Sequence, residues 1–157
     1  MTGSIKVVTA DEMLRLGEGL GRLLRGGEVF ALSGPLGAGK TTFVQGVARG
    51  LAVTGWVTSP SFSIIHVHEG RLRLIHCDFY RLDSQEEMQN IGFEDYLAPD
   101  SVVFAEWGQD FLSGTAGGVT HLCITNDGAR RELWVTEVAG RDIVLMKEWI
   151  EQWRSWH

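Results

Sequence analysis

The sequence predicts an α/β fold in which a sheet of mixed parallel and antiparallel strands is flanked by helices. Three observations carry this reading. Short, continuous apolar runs at residues 28–33 and 101–106 read as strands buried on both faces. Segments with apolar residues at helical spacing alternate with such runs, which is the pattern of parallel strands joined by helices. Two pairs of segments, 62–67 with 72–77 and 119–124 with 131–136, flank turn-rich residues and read as hairpins.

Residues 5–8 form the opening strand. Thr9 and Asp11 are both possible N-caps for a helix running to Leu24, with Met13, Leu16, Leu20, Leu23 and Leu24 on one face. Gly26 and Gly27 end it. The strand at 28–33 leads into a glycine-rich turn, and a helix from Thr41 to near Gly50 follows, with Phe43, Val47 and Leu51 at helical spacing. The first hairpin turns through Glu69, Gly70 and Arg71. Ser84 with Glu87 three residues on makes a capping box and starts a short helix. Asn126, Asp127 and Gly128 supply the turn of the second hairpin. From Gly140 the pattern turns helical to about residue 156, with Met146, Trp149, Ile150 and Trp153 sharing a face that reads as core packing.

The glycine-rich turn has the most specific chemistry. Gly34-Pro35-Leu36-Gly37-Ala38-Gly39-Lys40-Thr41 fits G-x-x-x-x-G-K-[ST] without a mismatch, and it lies between a strand and a helix. Three glycines free the backbone to aim successive N–H groups at an anion, and the new helix adds the positive end of its dipole. Lys40 then reaches the outer phosphates, and the Thr41 hydroxyl is placed to ligate Mg²⁺. The expectation is one P-loop NTPase domain spanning residues 1–157 that binds a nucleoside triphosphate.

Composition narrows the class further. The 157 residues are 44% hydrophobic and 22% charged, ordinary for a globular domain with a substantial core. A net charge of −6 argues against gripping nucleic acid over the whole surface, though not against a local basic patch. Cys77 and Cys123 are far apart and lack metal-ligand spacing, so they read as buried thiols of a reducing compartment. The N-terminus has no apolar signal core and no stretch is long enough to cross a bilayer, so the expected location is the cytoplasm.

A P-loop needs acids at the ends of neighbouring strands to hold magnesium and position water. Asp78 and Glu106 both follow apolar runs, at the C-terminal strand ends where ligands sit in open α/β sheets. Each alone is equally well read as a solvated strand-end acid; beside a P-loop the functional reading gains. Trp107 fits either the core or a stacking contact with a base. His66 with His68, and His76 with Asp78, alternate along strands without a third ligand at suitable spacing, so strand-surface histidines are expected rather than a zinc site. Glu94, Asp95 and the acids from Asp83 to Glu87 read as solvated faces.

Taken in order, the motifs resemble a known family. The P-loop through Phe43, then Thr58-Ser59-Pro60-Ser61-Phe62, His76-Cys77-Asp78-Phe79-Tyr80-Arg81-Leu82, Gly92-Phe93-Glu94-Asp95-Tyr96 and Glu106-Trp107 are similar in order and spacing to the bacterial TsaE (YjeE) proteins, over about residues 5–137. The resemblance implies a small ATPase using ATP and Mg²⁺. It would act with the partners TsaB and TsaD to make threonylcarbamoyladenosine on tRNA, next to the anticodon. It implies that Gly37, Ala38, Gly39, Lys40, Thr41 and Thr42 hold the phosphates, and that Thr41 and Glu106 hold the metal. Asp78 would serve the catalytic water or the outer sphere of the metal. Arg131 would contact nucleotide, with Arg130 as the alternative register, and Thr9 would sit near the adenine. Ser61 stands where the family commonly has Thr and keeps the hydroxyl. The Trp-rich C-terminal helix lies outside the resemblance. The alternative on the same P-loop is a small-molecule or nucleotide kinase, but no long Arg-rich lid segment of the kind such enzymes use is present.

Overall fold

The computed structural model describes residues 3–7, 9–35, 37–55, 57, 65–79, 84–106, 112, 114–128 and 130–156. Seven strands form one sheet: β1 (Gly3–Val7), β2 (Val29–Ser33), β3 (Ile65–His68), β4 (Arg73–Asp78), β5 (Ser101–Glu106), β6 (Thr120–Asn126) and β7 (Arg131–Glu137), in the spatial order β1-β7-β6-β2-β5-β4-β3. Among the described residues the helices are α1 (Ala10–Leu23), α2 (Lys40–Gly50), α3 (Gln85–Asn90) and α4 (Ile143–Trp156). Strands β6, β2, β5 and β4 pair in parallel, whereas β3 and β7 run antiparallel to their neighbours. Since β1 is in turn antiparallel to β7, it points the same way as the parallel core. The mixed sheet expected from the sequence is therefore present, with the β3–β4 hairpin at one edge and the β6–β7 hairpin next to the other, where β1 adds the edge strand.

One consequence of this topology governs the site. The C-terminal ends of β1, β2, β4, β5 and β6 and the N-terminal ends of β3 and β7 all lie along a single edge. Thr9, the P-loop, Asp78, Glu106 and Arg131 are far apart in sequence, and the strand directions bring them to that edge.

The sheet is covered unequally. On one face α1, α2 and α4 bury Phe30, Leu32, Leu74, Val102, Phe104, Leu122, Ile124, Leu133 and Val135. Phe30 and Phe104 stack with centroids 4.6 Å apart, and Phe43 of α2 meets Phe104 edge-on at 6.2 Å. The α4 stripe is core, as its spacing predicts: Met146, Trp149, Ile150 and Trp153 are buried, and the Trp149 indole N–H donates to the Leu16 carbonyl at 3.0 Å. Buried indoles need such a partner. The opposite face carries a smaller cluster around Ile75, Cys77, Val103 and Ala105, closed by Phe79 and Phe93, whose rings meet at 89°.

Helix ends follow their local chemistry. Thr9, rather than Asp11, caps α1, its hydroxyl accepting from the Glu12 N–H at 3.1 Å. Beyond the C-terminus of α1, Glu28 accepts from the N–H groups of Arg25 and Gly26 at 2.8 and 2.6 Å, and the Arg71 guanidinium donates to the Gly21 and Leu24 carbonyls. Ser84 caps α3 as the capping box predicts. Helices α1 and α2 approach closely because glycines face each other: Gly17 and Gly21 lie against the α2 backbone, and Gly46 and Gly50 against that of α1.

The described part of β3 is Ile65–His68; residues 62–64 of the expected strand fall outside the described residues. Cys77 is buried, but Cys123 is only half-buried, on the face of β6 that it shares with exposed Trp134 of β7. No helix among the described residues is long and apolar enough to cross a membrane.

Candidate functional site

Strand β2 ends at Ser33 and the chain turns through Gly34, whose φ of +139° belongs to the region that glycine tolerates and other residues do not. The turn is also tight: a β-carbon on Gly34 would sit 2.1 Å from the carbonyl oxygen of Ile124 on β6. Gly37 and Gly39 likewise have positive φ, +78° and +113°, and Gly39 is the N-cap of α2. Ala38 between them is buried. As N-cap, Gly39 has no side chain to bond the first N–H groups of α2, and such groups with the helix dipole suit an anion.

Lys40 opens α2 and is only 6% exposed. Its Nζ donates to the Gly34 carbonyl at 2.7 Å and lies 4.0 Å from Oε1 of Glu106, which is itself buried. Buried charges persist only when paired and hydrogen-bonded. Here the pairing crosses from α2 to β5, the parallel neighbour of β2, so the P-loop lysine and the strand-end acid meet. Thr41 and Thr42 follow in the first turn, both half-buried. Asp78 lies opposite Glu106 in the β4–β5 register and is half-buried, so the two predicted carboxylates are cross-strand neighbours.

The remaining predicted residues frame the same edge. Thr9 follows β1 and is exposed. Arg131 opens β7 between Val7 and Asn126. Strand alternation puts Arg131 on the face of buried Leu133 and Val135, the face that also carries Glu106. Arg130 precedes the strand, exposed, in a turn where its N–H donates to Asp127 at 2.7 Å. Of the two registers, Arg131 is thus the one turned to the side of the P-loop helix. Trp107, the motif at 58–62 and residues 80–82 lie outside the described residues.

One expectation is corrected. His76 is not a strand-surface histidine: it is fully buried, and its Nε2 lies 2.9 Å from Oε2 of Glu106. It shares a strand face with buried Leu74 and, across the register, with Phe104 and Glu106, under the helical layer. Alternation with Asp78 was the available signal; only the strand pairing reveals what covers that face. His66 and His68 do sit at the half-buried sheet edge, with centroids 6.2 Å apart. Burial, with His76 and His66 nearby, holds His68 below the usual histidine range. Burial, reinforced by the adjacent Asp78, pushes the Cys77 thiol far above the usual range.

A cavity of about 350 Å³ lies at the opposite edge of the sheet, lined in part by Gly27, Glu28, Pro99 and Ser101, and holds none of these residues. Volume and chemistry disagree here. The chemistry decides, because a phosphate cradle is a shallow surface of backbone N–H groups.

A family model described as threonylcarbamoyl adenosine biosynthesis protein TsaE matches residues 7–133. The chain belongs to the TsaE family. A TsaE relative from Treponema pallidum is 44% identical over 105 residues, covering 67% of this chain and 78% of its own length. One from Streptomyces coelicolor is 38% identical over 144 residues, covering 79% and 95%. The crystal structure of YdiB from Bacillus subtilis superposes with a TM-score of 0.81 at 28% identity, over 97% of this chain and 96% of that one. The α/β sheet is thus shared with YdiB, and the span matched by the family model, Val7 on β1 to Leu133 on β7, encloses every site residue named above.

Proposed function

We propose that this chain is an ATPase of tRNA threonylcarbamoyladenosine biosynthesis. It binds ATP with Mg²⁺ at the P-loop edge and hydrolyses it slowly alone and faster with TsaB- and TsaD-like partners, in modifying tRNA next to the anticodon. The observation that carries the reading is the meeting of Lys40 with Glu106, 4.0 Å apart, where the glycine turn opens into α2. Family membership supplies the pathway.

The chain's own groups divide the work. Backbone N–H groups from Gly37 to Thr42 and the N-terminus of α2 receive the phosphates. Lys40 exchanges its internal contact with the Gly34 carbonyl for the outer phosphates. Thr41 and Glu106 would hold Mg²⁺; a hydroxyl and a carboxylate at one edge fit a hard cation that keeps several waters and phosphate oxygens. Bound there, Mg²⁺ would offset the negative charge of the phosphates. Asp78, across the register from Glu106, orients the attacking water. Arg131 and Thr9 lie toward the β1–β7 side, where the nucleoside would extend.

A site completed by a partner lacks part of its transition-state stabilisation, and one supplied group is worth about 10³–10⁵ in rate. Phosphate release is therefore measured for the chain alone, with small acceptors, and with the partner complex plus tRNA over several turnovers. The expected result is slow release alone, acceleration in the complex, and loss of repeated tRNA modification in Glu106→Ala and Asp78→Ala. Efficient phosphorylation of a small acceptor by the chain alone would replace this reading with a kinase.

A further inference from the structure

We infer that His76 is a positioning residue that fixes the orientation of the Glu106 carboxylate, holding Oε2 so that Oε1 faces Lys40 and the P-loop. The inference rests on the ATPase reading above and assigns a role to a side chain outside the P-loop.

Glu106 is gripped from two sides. His76 Nε2 is 2.9 Å from Oε2, and Lys40 Nζ is 4.0 Å from Oε1. A carboxylate only accepts, so the proton of this hydrogen bond belongs to His76 Nε2. Neither group can be held by solvent, since His76 is fully buried and Glu106 nearly so. The other ring nitrogen, Nδ1, is buried and has no hydrogen-bond partner among the described residues. A buried ring kept with one nitrogen unsatisfied is an uneconomical way to fill a core position, where an apolar side chain would serve without the desolvation cost. Among the described residues the polar contact of His76 is with Glu106, and the register explains the reach. His76 lies opposite Phe104, Asp78 opposite Glu106, and all four share one face, so the imidazole spans the diagonal to the next residue of β5 on that face. Without it the carboxylate could rotate toward Lys40 with both oxygens, or away from the P-loop.

Partners that orient a metal-binding carboxylate typically matter by about 10- to 100-fold in metal affinity or activity. His76→Leu removes the donor while keeping apolar bulk; His76→Gln keeps an N–H near the position of Nε2. Two measurements test the role. Nitrogen-15 imidazole spectra of the protein without nucleotide or metal should show His76 protonated at Nε2, with a resonance that moves in Glu106→Gln. Mg²⁺ dependence of ATP hydrolysis should show half-saturation shifted upward about 10- to 100-fold in His76→Leu and largely restored in His76→Gln. A proton on Nδ1 alone, a resonance indifferent to Glu106→Gln, or wild-type Mg²⁺ dependence in a folded His76→Leu protein would overturn the assignment. If the wild-type chain hydrolyses no ATP under any condition, the ATPase reading fails, and the spectra alone decide whether His76 holds Glu106.

Discussion

Replacing Gly17 and Gly19 separately with alanine places two chemically identical changes two residues apart on α1, with opposite expected outcomes. In a helix interior alanine is favoured over glycine by about 1 kcal/mol. A β-carbon at Gly19 would have the Trp149 ring 3.8 Å away as its nearest neighbour, an ordinary contact, so Gly19→Ala should stabilise by about 1 kcal/mol. At Gly17 the same carbon would lie 2.2 Å from the Phe43 carbonyl oxygen and 2.9 Å from the Val47 nitrogen. Both obstacles are α2 backbone, which cannot swing aside as a side chain would. Overpacking of this kind costs about 1–3 kcal/mol. Taking the upper end and subtracting the propensity gain leaves a net loss of about 2 kcal/mol. The two variants should then differ by about 3 kcal/mol, or roughly 6–12 °C in Tm for a domain of this size. Urea unfolding with an unchanged m-value is the assay, with heat unfolding as a second measure. Gly17→Ala should also weaken nucleotide binding, because Phe43 lies three residues after Lys40 and pushing α2 outward displaces the P-loop. Equal stabilisation by both changes would refute the close glycine-mediated contact between α1 and α2.

Other perturbations test the site and the core. Lys40→Ala should weaken ATP binding roughly 10- to 150-fold, the worth of one charged hydrogen bond of about 1.5–3 kcal/mol; calorimetric titration on protein with a native circular dichroism spectrum checks this, and unchanged affinity contradicts it. Asp142 is 1% exposed, and burial holds its carboxyl above the usual range despite the hydrogen bond from Thr120 at 2.6 Å. A raised acid favours the folded state when protonated, so its contribution is full below the unfolded value near 3.8 and is lost as pH rises through the folded one. Asp142→Asn should therefore flatten the fall in stability between the unfolded and the folded value in urea titrations, and an unchanged slope would count against it. Cys77, buried with a raised thiol, should resist maleimide in the native protein while half-buried Cys123 is labelled first; mass spectrometry of the labelled peptides reads the order.

Much of this protein is legible along the chain, because the physics involved is local. The P-loop pattern needs only its own eight residues and the strand and helix beside it. Hydrophobic periodicity placed α1, α2, α4 and the strands to within a few residues, and Thr9 and Ser84 cap the helices they precede. The acids at 78 and 106 stood out because each ends an apolar run. What periodicity cannot supply is which strands are neighbours. Strand order put β5 beside β2 and so brought Glu106 to Lys40; the direction of β7 carried Arg131 to the same edge, and its alternation separated Arg131 from Arg130. The same pairing buried His76 against Glu106, although its spacing in sequence is equally that of a surface strand. Burial of a strand residue depends on what packs over its face, and that layer comes from helices distant in the chain. Local propensity and motif determined the parts; long-range pairing decided which of their side chains meet.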